Sequence, residues 1–485
     1  MDWWLLYEIL YALTLIFVCM RIINDTHTIN KTLSYLLFAA FVPFFGMIFY
    51  FIFGINYRKR KIYSKKLTEN EDLANKIKAD IYQYSKQTFN ESDASVQSNK
   101  ELAVMLLKDT FSPLTSHNSV KLLLNGENKF PEVLQTLKAA KHHIHIEYYI
   151  YEDDEIGREI GNVLIEKAKE GVDVRFIYDD FGSRSIRKRL VPAMKAAGVK
   201  AFPFFEIYFI PFANRLNYRN HRKIIVIDGH TAFVGGINIS DRYINHPKNK
   251  KRLFWRDTHL RIDGPGVQYL QYLFLCDWNF CSDLKLQPDT RLFPPRNSFP
   301  ALDDKVVQIA ASGPDSESPS ILYSILKAIN LATKEILIST PYFIPGEGLI
   351  DALVIASLSG ITVKLLVPDK SDSLLVNSAA KSYYKYLLQK GVEIYRYKKG
   401  FLHAKTLVAD RKIAIVGTAN MDFRSFDLNF EVNAIVYDKE IAHQLSAVFF
   451  EDLKDAEKMD IVAWNKRPLY KKWAEKMARL VSPLL

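Results

Sequence analysis

The sequence predicts an α/β protein of two tandem, similar domains, each a mixed sheet flanked by helices and related by a pseudo-twofold, preceded by a transmembrane helical hairpin. Three observations carry this. Two long apolar runs open the chain, short apolar strands alternate with helical patterns from about residue 118, and the second half repeats the order of the first.

The apolar runs are WWLLYEILYALTLIFVCM at 3–20 and LSYLLFAAFVPFFGMIFYFIFGI at 33–55. Each approaches or exceeds the ~20 apolar residues that cross a bilayer, so spans at about 3–23 and 33–55 are expected within an anchor of residues 1–62. A cleaved leader fits poorly, because Asp2 stands where a basic segment belongs and a second apolar run follows at once. Glu8 is tolerable near the interface, and Pro43 and Gly46 are ordinary in membrane helices. Arg58, Lys59, Arg60 and Lys61 follow the second span, whereas the loop between spans has only Arg21, Lys31 and a balancing Asp25. The positive-inside rule then gives a multi-pass protein of the cell membrane with its large remainder in the cytoplasm. Residues 63–110 are charged and polar, reading as a helical or partly mobile connector without chemistry of its own.

A domain at 111–300 and another at 301–485 follow. VKLLLNGENKFPEVLQTLKAAKHHIHIEYYIY is answered by VVQIAASGPDSESPSILYSILKAINLATKEILISTPYFIP, GVDVRFIYDD at Gly171 by GITVKLLVPD at Gly360, and GVKAFPFF at Gly198 by GVEIYRYKKG at Gly391. A repeat of this length with α/β content means duplicated domains, since solenoid units are much shorter.

The repeat brings together two copies of a His-x-Lys-x4-Asp frame: His221, Lys223 and Asp228, then His403, Lys405 and Asp410. One copy is weak evidence; two in register with an independent repeat are strong. Strand side chains alternate faces, so each histidine shares a side with its lysine, while the aspartate, at an odd offset, faces away and is expected to hold a turn or a buried partner. Gly235, Gly236 and Asn238, and Gly417, Thr418 and Asn420, offer close backbone approach and an amide donor suited to a phosphate. Two imidazoles, two ammonium groups and two carboxamides suit phosphodiester chemistry. One histidine attacks phosphorus and the other protonates the leaving oxygen; the residues alone do not choose between them. Each half also has a carboxylate candidate for orienting its imidazole, Asp257 and Glu431.

Two such motifs with trailing Gly-x-x-Asn resemble the phospholipase D superfamily. Within it, FGINYRKRK after the hairpin, YRNHRKIIVIDGHTAFVGGINISDRY, STPYFIP, NMDFRSFDLNFEVN and the closing RLVSPLL resemble the bacterial cardiolipin synthase family. The resemblance covers the chain except the 63–110 connector. It implies two phospholipase D-type domains with the site at their interface, His221 as nucleophile and His403 as acid and base, with Lys223, Asp228, Lys405 and Asp410 completing the catalytic motifs. Asn238 and Asn420 would bind phosphate. It further implies reversible phosphatidyl transfer between two phosphatidylglycerols through a phosphohistidine, without cofactor or required metal. The implied partners are phosphatidylglycerol and anionic membrane lipids, not nucleic acid; oligomeric state is left open.

Composition agrees with anionic lipid. Lys and Arg number 65 against 54 Asp and Glu, a formal charge of +11. Cys19, Cys276 and Cys281 form neither a disulfide framework nor a zinc spacing, which fits a reducing compartment. The cluster KHHIHIEYY reads as a solvated helix end leading into a strand rather than a metal site, with Glu147 and Tyr148 expected to line the pocket. In the C-terminal amphipathic helix, Leu469, Trp473, Met477 and Leu480 recur at helical spacing, read first as packing on the body and second as docking on a membrane surface.

Overall fold

The computed structural model describes residues 3–25, 29–42, 44–51, 71–206, 218–245, 253–295, 298–299 and 303–481. The basic run Arg58–Lys61, the end of the second apolar run, residues 63–70 and Ser482–Leu485 lie outside the described residues.

The duplication is explicit in the strand order. From its outer edge inward the first half runs Lys200–Pro203, Asp173–Tyr178, His143–Tyr148, Lys223–Ile227, Thr231–Gly235, Thr258–Asp263 and Thr115–Leu124. The second runs Glu393–Tyr397, Thr362–Pro368, Glu335–Ser339, Thr406–Ala409, Ile413–Gly417, Asn429–Val436 and Lys305–Ser312, with Ala456–Lys458 added outside. In both, the outer three strands are parallel and the rest antiparallel. Gly171 and Gly360, both in left-handed conformation at φ 89° and 87°, make equivalent helix-to-strand turns. Thr115–Leu124 pairs antiparallel with Lys305–Ser312, so the two sheets join edge to edge into one.

Both faces of this sheet are covered, which is why KIIVI at 223–227 reads as a continuous apolar run rather than an alternation. Ile225 and Ile227 pack with Val133 and Leu137 of helix Asn125–Ala139, and Ile224 and Val226 with Leu270 and Leu273 of helix Val267–Cys281. Full burial of each such side chain contributes about 1.5–3 kcal/mol.

The connector is not a bare tether. Leu102, Ala103 and Leu106 of helix Lys100–Thr110 are buried in the second half's core, and Gln308 donates to the carbonyls of Ala103 and Ser112 at 3.1 and 2.9 Å. Its polarity hid three apolar positions at helical spacing.

The amino-terminal hairpin also differs from expectation. Trp3–Asp25 is one apolar helix long enough to span a membrane. The second run does not form a continuous spanning helix over its described residues: Ile29–Phe41 ends, Phe44 takes a left-handed φ of 60°, and a short helix restarts at Phe45–Phe49. A Cβ on Gly46 would stand 2.2 Å from the Phe38 carbonyl oxygen, so glycine is what lets the chain fold back this tightly. The two arms meet through Val18, Ile22, Tyr35 and Tyr50, and the Tyr50 hydroxyl donates to Asp25 at 3.0 Å.

Candidate active site

The two halves deliver their histidines by the same device. Arg219–Asn220 makes a short parallel bridge with Asn429–Phe430, and Gly400–Leu402 makes one with Phe254–Arg256. The His221 N–H donates to the Phe430 carbonyl at 2.9 Å and the His403 N–H to the Arg256 carbonyl at 2.7 Å. Each histidine is thereby placed beside the residue that follows in the other half, and those residues are Glu431 and Asp257.

The pairing is therefore crossed. His221 Nδ1 lies 2.9 Å from both Glu431 oxygens, and His403 Nδ1 lies 2.6 Å from Asp257 Oδ2. The sequence offered each carboxylate to its own half; the structure swaps them, because the parallel bridges carry each histidine over the domain boundary. Glu431 also accepts from Thr418 Oγ1 at 2.5 Å and Asn429 Nδ2 at 3.1 Å, and Asp257 accepts from the Thr258 N–H at 2.7 Å. These bonds fix the carboxylates, which in turn fix the rings.

Lys223 Nζ donates to the His221 carbonyl at 2.7 Å, and Lys405 Nζ donates likewise to the His403 carbonyl. Each ammonium is held against its own motif's backbone. The charge of Lys405 reaches His221 and that of Lys223 reaches His403, so the two motifs form one electrostatic site.

Burial dominates the protonation states. It holds His221 at about 4 against the pull of Glu431, and with Lys405 it holds His403 at about 4 against Asp257. Burial also brings Lys223 down to about 7 and Lys405 to about 8. For Glu431, burial pushes upward but His221 and Lys223 outweigh it; for Asp257, Lys405 and His403 do the same, so both carboxyls sit below their ordinary values. The resting site thus pairs neutral imidazoles with ionised carboxylates. Nδ1–H is donated to the carboxylate, which leaves the lone pair on Nε2.

Asp228 and Asp410, counted with the catalytic motifs in the sequence, do not join the site. Asp228 accepts from the N–H groups of Lys141, His142 and His143 at 2.8, 2.8 and 2.9 Å. Asp410 accepts from those of Thr333, Lys334 and Glu335 at 2.8, 2.7 and 3.0 Å. Both stand in left-handed turns, with φ 52° and 53°, at the strand end remote from the imidazole. Four residues of strand, 224–227, separate Asp228 from Lys223, roughly 15 Å.

The glycine-rich segments also serve another purpose than a phosphate cradle. A Cβ on Gly236 would lie 2.2 Å from Asp257 Oδ1, so this glycine makes room for the orienting carboxylate; Thr418, its counterpart, donates to Glu431 instead. Asn238 is tied into its loop, accepting from the Ile150 N–H at 3.2 Å and donating to the Tyr243 hydroxyl at 2.6 Å. Asn420 is buried with its Oδ1 unpartnered, and its N–H donates to Ser425 Oγ at 3.1 Å. Ser425 braces that turn.

Other residues reach the site without a sequence signal. Tyr149 sets its ring 4.8 Å from His221, and Trp255 lies 5.5 Å from His403. Arg219, two residues before His221, shares Phe181 with Arg184, their guanidinium carbons 4.5 and 4.3 Å from the ring centre. Beneath the site, Asn220 donates to Glu147 and Arg222 to Asp277, all buried. Glu147 therefore lies under the pocket rather than lining it, its carboxyl pushed well up by burial and by Asp277. The cluster KHHIHIEYY leads from the exposed Lys141 and His142 after the helix into a strand, as expected, and in that strand His143 and His145 are buried, with His145 stacked at 4.3 Å on Phe274 and bonded to Gln271. Lys129, a buried lysine whose proton affinity burial pulls well down, donates to the Tyr148 hydroxyl and the Ile237 carbonyl, both at 2.8 Å.

Known proteins match this chain along its length. The family description "Cardiolipin synthase, PLD-like domain" matches residues 133–251 and 325–453, one stretch in each half, and "Phospholipase_D-nuclease N-terminal" matches residues 9–54. The major cardiolipin synthase ClsA of Bacillus subtilis is 40% identical over 484 residues, covering 99% of both chains. A cardiolipin synthase of Listeria innocua is 40% identical over 479 residues, covering 98% of both. Among solved structures, phosphatidylserine synthase of Haemophilus influenzae aligns over 79% of this chain and 100% of its own with a TM-score of 0.60 at 14% identity, a likeness of fold. With this coverage and two cross-paired motif copies in one site, the chain belongs to the cardiolipin synthases, membrane-associated phosphatidyltransferases of the phospholipase D superfamily.

Proposed function

We propose that the protein joins two molecules of phosphatidylglycerol into cardiolipin and glycerol, with His221 as nucleophile and His403 as acid and base. The observation that carries this reading is the pair of imidazoles clamped through Nδ1 by Glu431 and Asp257, each with a lysine ammonium at its side. His221 Nε2 attacks the phosphorus of the first lipid, the bond to the glycerol oxygen breaks, and His403 passes its proton to that oxygen. The product is a phosphatidyl group on His221 Nε2. His403 then takes the proton of the terminal hydroxyl of a second phosphatidylglycerol, its oxygen attacks phosphorus, and the N–P bond breaks. One phosphodiester is lost and one made at each transfer, so the reaction is reversible and needs no nucleotide.

Each residue has a distinct task. Glu431 stabilises the positive charge that develops on His221 during attack, and Lys223 and Lys405 offset charge on the phosphoryl oxygens. His403 is neutral in the empty site; the negative charge of an arriving lipid phosphate raises its proton affinity and equips it as an acid. Asn238 and Asn420 retain amide hydrogens for the phosphate oxygens. Arg219 and Arg184 around Phe181 suit the phosphate of the acceptor lipid. Asp228 and Asp410 serve the motif by anchoring its far end. In this reading the hairpin sits in the cell membrane with both domains on the cytoplasmic side, where the precursor lipids face them.

Incubating the purified full-length protein with phosphatidylglycerol vesicles alone tests the reaction. Mass spectrometry should find cardiolipin and free glycerol in equal amounts. Phosphatidic acid as sole lipid product would instead mean that water is the acceptor and the protein a hydrolase.

A further inference from the structure

The helix Leu469–Val481 is fastened on one side only. Its inner side rests on helix Leu374–Gln389: Ala478 is buried there, the Arg479 guanidinium stands 4.9 Å from the Tyr383 ring centre, and Glu475 is gripped by Arg467 at 2.6 and 2.9 Å. The outer side contradicts the expectation that its apolar stripe packs on the body. Leu469 is 72% exposed, Trp473 64%, Met477 57% and Leu480 64%. Steps of four, four and three residues put all four on one face. Lysines edge the stripe, Lys476 with its ammonium 5.6 Å from the Trp473 ring centre and Lys471 6.0 Å from that of Tyr470.

The helix beneath leads from this surface toward the site. It starts at Leu374, 85% exposed, followed by Leu375, also exposed. Asp372, just before it, accepts from the Tyr342 hydroxyl at 2.8 Å, and its charge reaches Lys405. Tyr342 lies 6.4 Å from Phe401, which lies 5.9 Å from His403. The exposed start of this helix is thus linked to the catalytic site through Asp372, Tyr342 and Phe401.

Charge and composition select the occupant. Lysines can extend past an apolar stripe to lipid phosphates while their stems stay on the apolar side, and tryptophan favours the headgroup level. A helix with this arrangement lies in the plane of an anionic membrane, its apolar side buried to about 5–10 Å. We propose that helix Leu469–Val481 docks in the headgroup layer of the membrane that carries the anchor, and with Leu374 and Leu375 seats the mouth of the catalytic site on the bilayer surface. Docking stands independently of the reaction; only its benefit to turnover rests on the phosphatidyl-transfer reading.

Trp473→Cys, labelled with a polarity-sensitive fluorophore in the full-length protein and reconstituted in vesicles of phosphatidylglycerol and phosphatidylcholine, reports the position directly. The unsubstituted protein treated identically corrects for the native cysteines. Blue-shifted emission, quenched by lipids spin-labelled near the headgroup and weakened in phosphatidylcholine alone, is the expected result. Water-like emission untouched by those lipids would overturn the proposal, as would apolar emission that lipid quenchers miss and that scales with protein density, the mark of a second copy. In parallel, Trp473→Asp with Met477→Asp should lower turnover of vesicle lipid about tenfold or more while leaving turnover of a short-chain, water-soluble phosphatidylglycerol nearly unchanged. Equal loss on both substrates would contradict the seating role, and loss of vesicle turnover without altered emission would contradict docking.

Discussion

At the residue scale the central fact is that each imidazole is oriented by a carboxylate from the other half. Glu431→Gln and Asp257→Asn keep the shape but let the amide present N–H where the ring needs an acceptor, so each should lower kcat roughly a hundred- to ten-thousandfold with modest change in KM. Steady-state kinetics on phosphatidylglycerol vesicles checks this; an unchanged kcat in either variant would contradict the orienting role. The pH profile has a definite sign. His221 at about 4 must be neutral to attack, so kcat/KM should fall as pH drops below 4. His403, also at about 4 in the empty site, must take up a proton as lipid binds, so kcat/KM should decline as pH rises above that and steepen through 7 to 8 as Lys223 at about 7 and Lys405 at about 8 lose their charge. Lys223→Arg, which stays charged, should retain less activity but move that alkaline decline upward. The histidines, lysines and carboxylates were all legible in the sequence, because side-chain chemistry and spacing are local properties. The crossing of carboxylates was not, since it depends on two short parallel bridges, Arg219–Asn220 and Gly400–Leu402, that no periodicity marks.

At the scale of elements, the motif is a strand held at both ends, with chemistry at one end and an anchor at the other. Asp228 gathers three N–H groups at the start of strand His143–Tyr148, and Asp410 does the same for Glu335–Ser339. Asp228→Ala should therefore cost about 2–4 kcal/mol of stability by leaving those donors unpaired. Thermal inactivation in detergent should show a lowered midpoint while the surviving protein keeps most of its kcat; a normal midpoint with lost kcat would place Asp228 in the chemistry. Gly236→Ala should behave oppositely. Its new methyl would stand 2.2 Å from Asp257 Oδ1, displace the carboxylate behind His403, and lower kcat about a hundredfold or more with smaller loss of stability. The sequence marked this glycine for close backbone approach; what approaches is a carboxylate, which only the fold reveals. The connector is helical, as its composition allowed, but its packing on the second half was hidden for a related reason, since Leu102, Ala103 and Leu106 are few among many polar neighbours and their partner strand, Lys305–Ser312, lies far along the chain.

At the scale of the whole molecule, duplication, sheet joining and membrane anchoring combine into one machine. The repeat predicted two alike domains, and the strand orders agree position by position; that they fuse through Thr115–Leu124 and Lys305–Ser312 is a product of edge geometry that sequence pattern does not encode. Fusion matters because a rigid common sheet keeps both imidazoles in register with carboxylates across the boundary. Neither half alone holds an oriented histidine, so either half expressed separately should be inactive, and mixing the two should restore activity only if the joined sheet reforms. The proposed mechanism requires a covalent intermediate on His221. Protein mixed briefly with phosphatidylglycerol, quenched in alkali that preserves N–P bonds and digested for mass spectrometry, should carry one phosphatidyl group on the peptide containing His221, lost in His221→Ala and accumulating when the acceptor hydroxyl is blocked. A phosphatidyl group on His403 instead, or active turnover with no adduct on either histidine, would contradict it.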